Sequence, residues 1–188
     1  MSTLVVSCNS TDCWANKNSN FGNSEDYLYI IDDPAVSNSN VRNWIPFTIP
    51  LRGSAVINTV YLTVTIYANS SAGGGTMTIG CEAADNPSAP IDAADLNGRT
   101  VTTFTASGSV GTNWTALDTF TWQMDNPFAE VIARSGWRPG NTLAVILYES
   151  GIGDGTRQIY SSRGAAGAYK AYLTIDYTDF IPRSGGLV

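Results

Sequence analysis

The stretch Ile57-Asn58-Thr59-Val60-Tyr61-Leu62-Thr63-Val64-Thr65-Ile66-Tyr67-Ala68 decides the fold class. Val60, Leu62, Val64 and Ile66 alternate with Tyr61, Thr63, Thr65 and Tyr67. A strand turns successive side chains to opposite faces, so a period of two puts the first set on the core and the second on the other face. The stretch Asn69-Ser70-Ser71-Ala72-Gly73-Gly74-Gly75 then reads as a turn, and 76–82 as a returning strand, so the two are expected to pair as a hairpin.

Outward from this segment the chain keeps the same character. Further strands are expected at 27–31, 41–49, 99–106, 118–124, 142–149, 157–162 and 171–177. Asp32-Asp33-Pro34 ends the first of these, because proline cannot continue a central ladder. Residues 86–98, rich in Pro, Asp and Ala, read as an irregular crossing or a short helical turn. One helix is expected over 126–134, with Asn126 as its cap and Pro127 at its first position. Phe128, Val131 and Ile132 would share one face, and Gly136 would end it. No repeat or linker divides the chain. The expectation is a single all-β domain over 1–188, a two-sheet antiparallel β-sandwich or jelly roll with one short helix. An N-terminal arm of about 20 residues and a tail over 178–188, which holds Pro182 and two glycines, would be left to dock on partners.

A chain of 188 residues is long enough to be stable on its own core without a metal or a disulfide. The formal net charge of -6 repels phosphate, so no nucleic-acid partner is expected. There is no histidine, which removes the commonest general base and the usual imidazole metal ligand. Cys8, Cys13 and Cys81 show no metal-binding spacing. Cys8 and Cys13 are near enough in sequence to bond in an oxidising compartment, but an odd count favours free thiols. The N-terminus lacks the basic and apolar regions of a signal peptide. No apolar run reaches membrane-spanning length, so no membrane partner is expected. The chain either works in a cytoplasm, leaves a cell by lysis as particle proteins do, or is a secreted chain whose signal was removed.

Three kinds of candidate site arise. Aromatic platforms come first, since sugar-binding sandwiches stack pyranose rings on exposed Trp or Tyr faces. Trp14 and Trp114 lie in polar stretches and are expected to be the exposed pair. Trp44 sits on a strand with apolar residues on both faces and could point either way. Tyr61 and Tyr67 share a strand face. Trp122 alternates with Phe120 and Met124 and is expected in the core, with Trp137 packed under the sandwich as a lid. Packing or a protein interface is the expected role of most of these rings. Acidic groups come second: Asp26 with Asp32 and Asp33, and Asp92 with Asp95, carry the oxygen ligands that Ca²⁺ takes. Turn capping is their expected role, so no cofactor is expected. Third, glycoside hydrolysis needs two carboxyls across a cleft. Glu25, Glu82, Glu130 and Glu149 are the only glutamates, and no spacing among them marks such a pair.

Several segments taken in order resemble DNRLRE-type β-sandwich domains, relatives of carbohydrate-binding jelly rolls. Early in the chain these are Phe21-Gly22-Asn23-Ser24 and then Arg42-Asn43-Trp44-Ile45-Pro46-Phe47-Thr48-Ile49, with Thr48 where that family has an Asp. The strand opening Ile57-Asn58-Thr59-Val60-Tyr61-Leu62 comes next. Later come Val131-Ile132-Ala133-Arg134, Gly136-Trp137, Pro139-Gly140-Asn141-Thr142-Leu143-Ala144-Val145, 157–161 and the closing strand 170–177. The likeness spans roughly residues 11–178 in pattern. Such domains occur in secreted bacterial proteins and in structural genes of tailed phages. The resemblance implies binding or scaffolding and carries over no catalytic residue. The functional expectation is a non-catalytic virion protein, a capsid decoration protein or a tail or fibre component. It would be assembled in a host cytoplasm and dock on other virion proteins and on itself. The alternative is a carbohydrate-binding module of a secreted or cell-surface bacterial protein, with surface glycans as ligands.

Overall fold

The computed structural model describes residues 1–15, 21–31, 41–71, 75–151 and 157–179. They form an all-β sandwich of two antiparallel sheets, with two short helices and two small ribbons at the margins. The first sheet holds β1 (Ser2–Ser7), β14 (Tyr172–Thr178), β6 (Val56–Thr65) and β11 (Thr119–Gln123), in that order across it. The second runs β3 (Phe21–Gly22), β2 (Cys13–Ala15), β5 (Arg42–Ile49), β12 (Asn141–Gly151), β8 (Thr76–Cys81) and β9 (Ala106–Ser109). One ribbon pairs β4 (Tyr27–Ile31) with β13 (Arg157–Tyr160), and the other pairs β7 (Ser70–Ser71) with β10 (Asn113–Trp114).

The alternation that decides the fold works as read on its core face. Val60, Leu62, Val64 and Ile66 are all buried against the second sheet's inner residues, among them Ile45, Phe47, Met77, Ile79, Leu143, Val145 and Leu147. The outer face is partly covered: Tyr61 is exposed, whereas Thr63 and Thr65 are buried. The Thr63 hydroxyl lies 3.0 Å from that of its β11 neighbour Thr121, so the buried hydroxyl is satisfied across the strands.

The pairing of this strand corrects the sequence reading. β6 pairs with β14 and β11, and β8 pairs with β12 and β9, so 57–68 and 76–82 belong to different sheets. The chain thus passes from one sheet to the other between β6 and β8 instead of closing a hairpin. Alternation marks which face of a strand is apolar; it does not name the partner.

β12 shows the opposite pattern, a continuous apolar run with Leu143 through Ile146 and Leu147 all at 0% exposure. Both of its faces are covered. Leu143, Val145 and Leu147 point into the sandwich. Ala144 and Ile146 point outward, where Trp44, Ala93 and Leu96 close a second small core with α1 (Ala93–Gly98). Strands buried on both faces lose their alternation. Asp92 starts α1 by accepting the Asp95 N–H at 2.8 Å.

The expected helix exists but begins earlier, as α2 (Asp125–Ile132), with Met124 at the cap position and Pro127 inside the first turn. Phe128, Val131 and Ile132 are buried as read. Asp125 serves as a tie instead, accepting the Val60 N–H at 2.6 Å. The strand expected at 99–106 is displaced to Ala106–Ser109, with only a bridge from Val101 to Glu82 before it.

The first residues are not a free arm. β1 is a full edge strand on β14 from Ser2↔Tyr177 to Ser7↔Tyr172, and β2 pairs with β5. Between them Cys8 N–H reaches Ala171 O and Asn9 N–H reaches Pro46 O, so the chain steps from one sheet to the other. Residues 16–20 of the expected arm, and the tail beyond 179, lie outside the described residues. The opposite side of the sandwich is closed by Trp122. Its ring lies so near Gly108 of β9 that any Cβ there would collide with it, and its indole donates to Ser109 O at 3.2 Å.

Candidate functional site: a row of tyrosines

The tryptophans expected to be exposed are buried. Trp14 is 8% exposed, Trp114 3% and Trp44 1%, so none offers a ring face to a sugar in this conformation. Local polarity misled the reading, because strand pairing and ring packing override it. Trp114 donates its indole N–H to Val110 O and covers Arg157, whose guanidinium carbon stands 5.2 Å from its ring centre. Arg157 is fully buried and donates to Gly111 O at 2.8 Å, which pins the 110–112 loop over the core. Trp44 donates to Glu82 at 2.7 Å under α1. Trp122 and Trp137 are buried as expected, with the Trp137 indole on Leu51 O at 2.9 Å.

Of the glutamates considered for chemistry, Glu82 and Glu130 serve as ties, and the side chain of Glu149 lies outside the described residues. Glu82 accepts from Trp44 and from Arg99, and Arg99 also holds Asp95. Glu130 accepts the backbone N–H groups of Thr103 and Phe104, both at 2.9 Å. Asp12, 1% exposed, accepts from the Ser162 N–H at 2.6 Å and from its hydroxyl. Asp92 and Asp95 cap and brace α1. Of the first calcium candidates, Asp26 is exposed and its backbone carbonyl accepts from Ser161, while Asp32 and Asp33 lie outside the described residues. No group of three or more metal-ligating side chains occurs among the described residues. Cys8 and Cys81 are free and buried. Burial pushes the Cys8 thiol up to about 12 and Cys81 up as well, so neither is a thiolate nucleophile near neutrality.

What the tertiary structure assembles is a row of rings on the β4–β13 ribbon. Leu28, Ile30 and Ile159 turn inward and are buried. Tyr27, Tyr29 and Tyr160 alternate with them and face outward, half-buried. Tyr67, just beyond β6, joins them because its N–H bonds Gln158 O and Ile66 bridges Ile159. The turn at Gly164–Gly167 brings Tyr169 back onto Tyr160. The ring centres run Trp14–Tyr29 4.7 Å, Tyr29–Tyr27 5.2 Å, Tyr27–Tyr67 5.0 Å, Tyr67–Tyr160 5.1 Å and Tyr160–Tyr169 4.9 Å. Each lies within the spacing at which tilted or edge-on aromatic pairs attract. The base of the row is clamped: Ser161 bonds the backbone oxygens of Glu25 and Asp26, and Asp12 holds Ser162 and Arg163.

At the Trp14 end the polar accounting changes. The buried indole nitrogen of Trp14 and both amide atoms of Asn43, its partner across β2 and β5, have no hydrogen-bond partner among the described residues. Asn43 is fully buried. The Trp14 nitrogen and a Glu25 carboxylate oxygen both crowd Gly22, where any Cβ would strike them.

No protein-family model matches this chain, and no curated protein matches it. The site therefore rests on its own geometry. Part of its signal was present in the sequence, since Tyr27-Leu28-Tyr29-Ile30 alternates as strictly as β6 does. Tyr67 was singled out with Tyr61, but these two separate, Tyr67 into the row and Tyr61 onto the exposed face of the first sheet.

Proposed function

We propose that this chain is a non-catalytic structural protein of a phage-like virion, a capsid decoration, tail or fibre component, acting by docking. The observation that carries the reading is the open edge at β1. Its sequence, Ser2-Thr3-Leu4-Val5-Val6-Ser7, holds no charge and no proline, the usual means of blunting an edge strand. Val5 is 61% exposed, Leu4 and Val6, which pack on the core, stay only partly covered, and among the described residues no strand lies beyond β1. An extended segment from a neighbouring subunit would take the free backbone groups of this edge and finish covering Leu4 and Val6. The ties formed by Glu82, Glu130 and Asp12 agree with a rigid block whose carboxylates maintain its shape. The resemblance in segment order to domains of phage structural genes points the same way.

The test is composition and assembly of purified particles. Mass spectrometry should find the chain in stoichiometric amounts, and Val5→Lys should reduce its incorporation while the isolated chain keeps its unfolding midpoint. Particles that lack the chain would overturn the reading.

A further inference from the structure

We infer that the neighbour at the open edge is a second copy of this chain, its β1 paired antiparallel with β1 about a two-fold axis at Val5. This rests on the docking reading above and names the partner. The backbone limits the register. The Cys8 N–H reaches Ala171 O at 2.9 Å, and the pairing from Ser7↔Tyr172 to Ser2↔Tyr177 continues from it without a shift. Bonded and unbonded positions alternate along an antiparallel ladder. Ser2, Leu4 and Val6, in step with Cys8, therefore turn their backbone groups to β14. Thr3, Val5 and Ser7 turn theirs to the free edge, and all three residues are exposed. A register that sets these three positions against one another joins the free groups of both copies. It also keeps Leu4 and Val6 on the core face of both.

Side chains choose among such registers. Centred on Val5, Thr3 meets Ser7, Leu4 meets Val6 and Val5 meets itself. Like faces like in every row: hydroxyls at the ends, aliphatics on the core face, and the two Val5 side chains on the outer face. The Thr3 hydroxyl already donates to Asp176 at 2.5 Å, so its oxygen is left to accept from Ser7 of the second copy. Centred on Leu4, Ser2 would face Val6 and Thr3 would face Val5. Centred on Val6, Ser7 would face Val5, and Leu4 would face Cys8, which is buried where the chain leaves for the other sheet.

Charge favours a second copy over a foreign strand. β1 carries no charge, and the one charged residue of β14, Asp176, is tied to Thr3 and to Thr59. Such an edge does not draw in an oppositely charged segment. It selects by side-chain fit, and β1 itself supplies that fit, as an isologous contact requires. The net charge of -6 makes two copies repel elsewhere. The paired stretch, Thr3 to Ser7, is also far shorter than the roughly 20–30 residues a side of a standard interface. The dimer is therefore a weak one that forms when copies are concentrated.

The experiment is sedimentation equilibrium of the full chain from about 1 μM to about 1 mM. The mass should rise from 20.0 kDa toward twice that value, and rise further with added salt, which screens the like net charges. Val5→Lys and Val5→Glu should each stay monomeric with the parent's unfolding midpoint, and should dimerise when mixed, because the axis sets residue 5 against itself. Val5→Cys should cross-link to its own copy on oxidation, since Cα atoms of a hydrogen-bonded antiparallel pair stand about 5.5 Å apart, within disulfide reach. Leu4→Cys should not, with the parent and its native thiols as the blank. In hydrogen exchange the Thr3, Val5 and Ser7 amides should slow with concentration, whereas those of Leu4 and Val6 stay slow throughout. A monomer at every concentration, a dimer indifferent to Val5→Lys, cross-linking through Leu4→Cys instead, or edge amides protected at every dilution by the chain's own residues would overturn the inference. A chain found in particles yet monomeric in solution sinks this inference alone. A dimer formed by a chain that no particle contains sinks the virion reading and leaves this one standing.

Discussion

Two tryptophans on neighbouring strands of the second sheet are buried to similar degrees and treated differently. Trp44 on β5 faces outward under α1, where its indole N–H meets Glu82 at 2.7 Å. Arg99 then joins Glu82 at 2.8 Å to Asp95 at 2.7 Å, and Leu96 seals the cluster. Trp14 on β2 faces inward, touches Tyr29 at 4.7 Å, and its N–H meets no acceptor among the described residues. Asn43, next to Trp44 in sequence, shares the inner face and the same condition. Leaving a buried polar group unmade costs about 1–3 kcal/mol. A cluster that satisfies its members is accounted for by stability alone. One that leaves donors and an acceptor open carries a cost in stability that the rest of the core must offset.

The sharpest way to break the contrast is at Glu82. Glu82→Ala strips the acceptor from Trp44 and one carboxylate from Arg99, whose side chain is only 16% exposed. The expected loss is about 3 kcal/mol, read as a lower urea midpoint at unchanged slope. Glu82→Gln keeps an acceptor for the indole and should lose less than half as much.

A pair of matched substitutions comes next. Trp44→Phe removes a donor that is in use and should cost about 2–3 kcal/mol. Trp14→Phe leaves a similar gap but also removes an N–H that lacks a partner, so it should cost clearly less. Equal losses would mean that both indoles are bonded in solution and would erase the contrast. Asn43→Leu goes one step further by replacing an unpaired amide with an apolar group of similar size. It should be neutral or raise stability by about 1 kcal/mol, because no partner is left behind.

Much of this architecture was legible in the residues, and the limits have a physical cause. The inward face of β6, the burial of Phe128, Val131 and Ile132, and the core role of Trp122 follow from periodicity, which is local. The partners of β6 are β11 and β14, both far downstream, and no feature of 57–68 encodes that choice. Trp14 and Trp114 sit among polar neighbours, and polarity along the chain says little about what folds over a ring from elsewhere. The tyrosine row is the extreme case. Its members come from β4, from just beyond β6, from β13 and from the turn after it. Tyr67 stood out only as a strand-face residue with Tyr61, and it is the tertiary structure that brings these rings into contact.

The smallest expected effect separates the two regions by acid. Asp95, in the Trp44 cluster, is held below the ordinary carboxylate range, first by its hydrogen bonds from Arg99. A depressed folded value means the unfolded chain takes up the proton first, so this stabilisation exists above the unfolded value near 3.8 and is lost as pH falls through the folded one. Asp12, which clamps Ser162 beneath the tyrosine row, behaves in the opposite sense. Burial raises it above 3.8 despite the bonds from Ser162 that favour the charge. The folded state then takes up the proton first, so its contribution falls as pH rises from 3.8 through the folded value and is lowest near neutrality. Asp95→Asn should therefore flatten the acid side of the stability profile, and Asp12→Asn should steepen it, because a term that opposes acid unfolding has been removed. The two profiles, measured by urea unfolding between pH 3 and 7 (roughly the window these carboxylates span), should diverge from the parent in opposite directions. A common direction would place both carboxylates in the same kind of tie and remove the electrostatic half of the distinction between the two ends of this sheet.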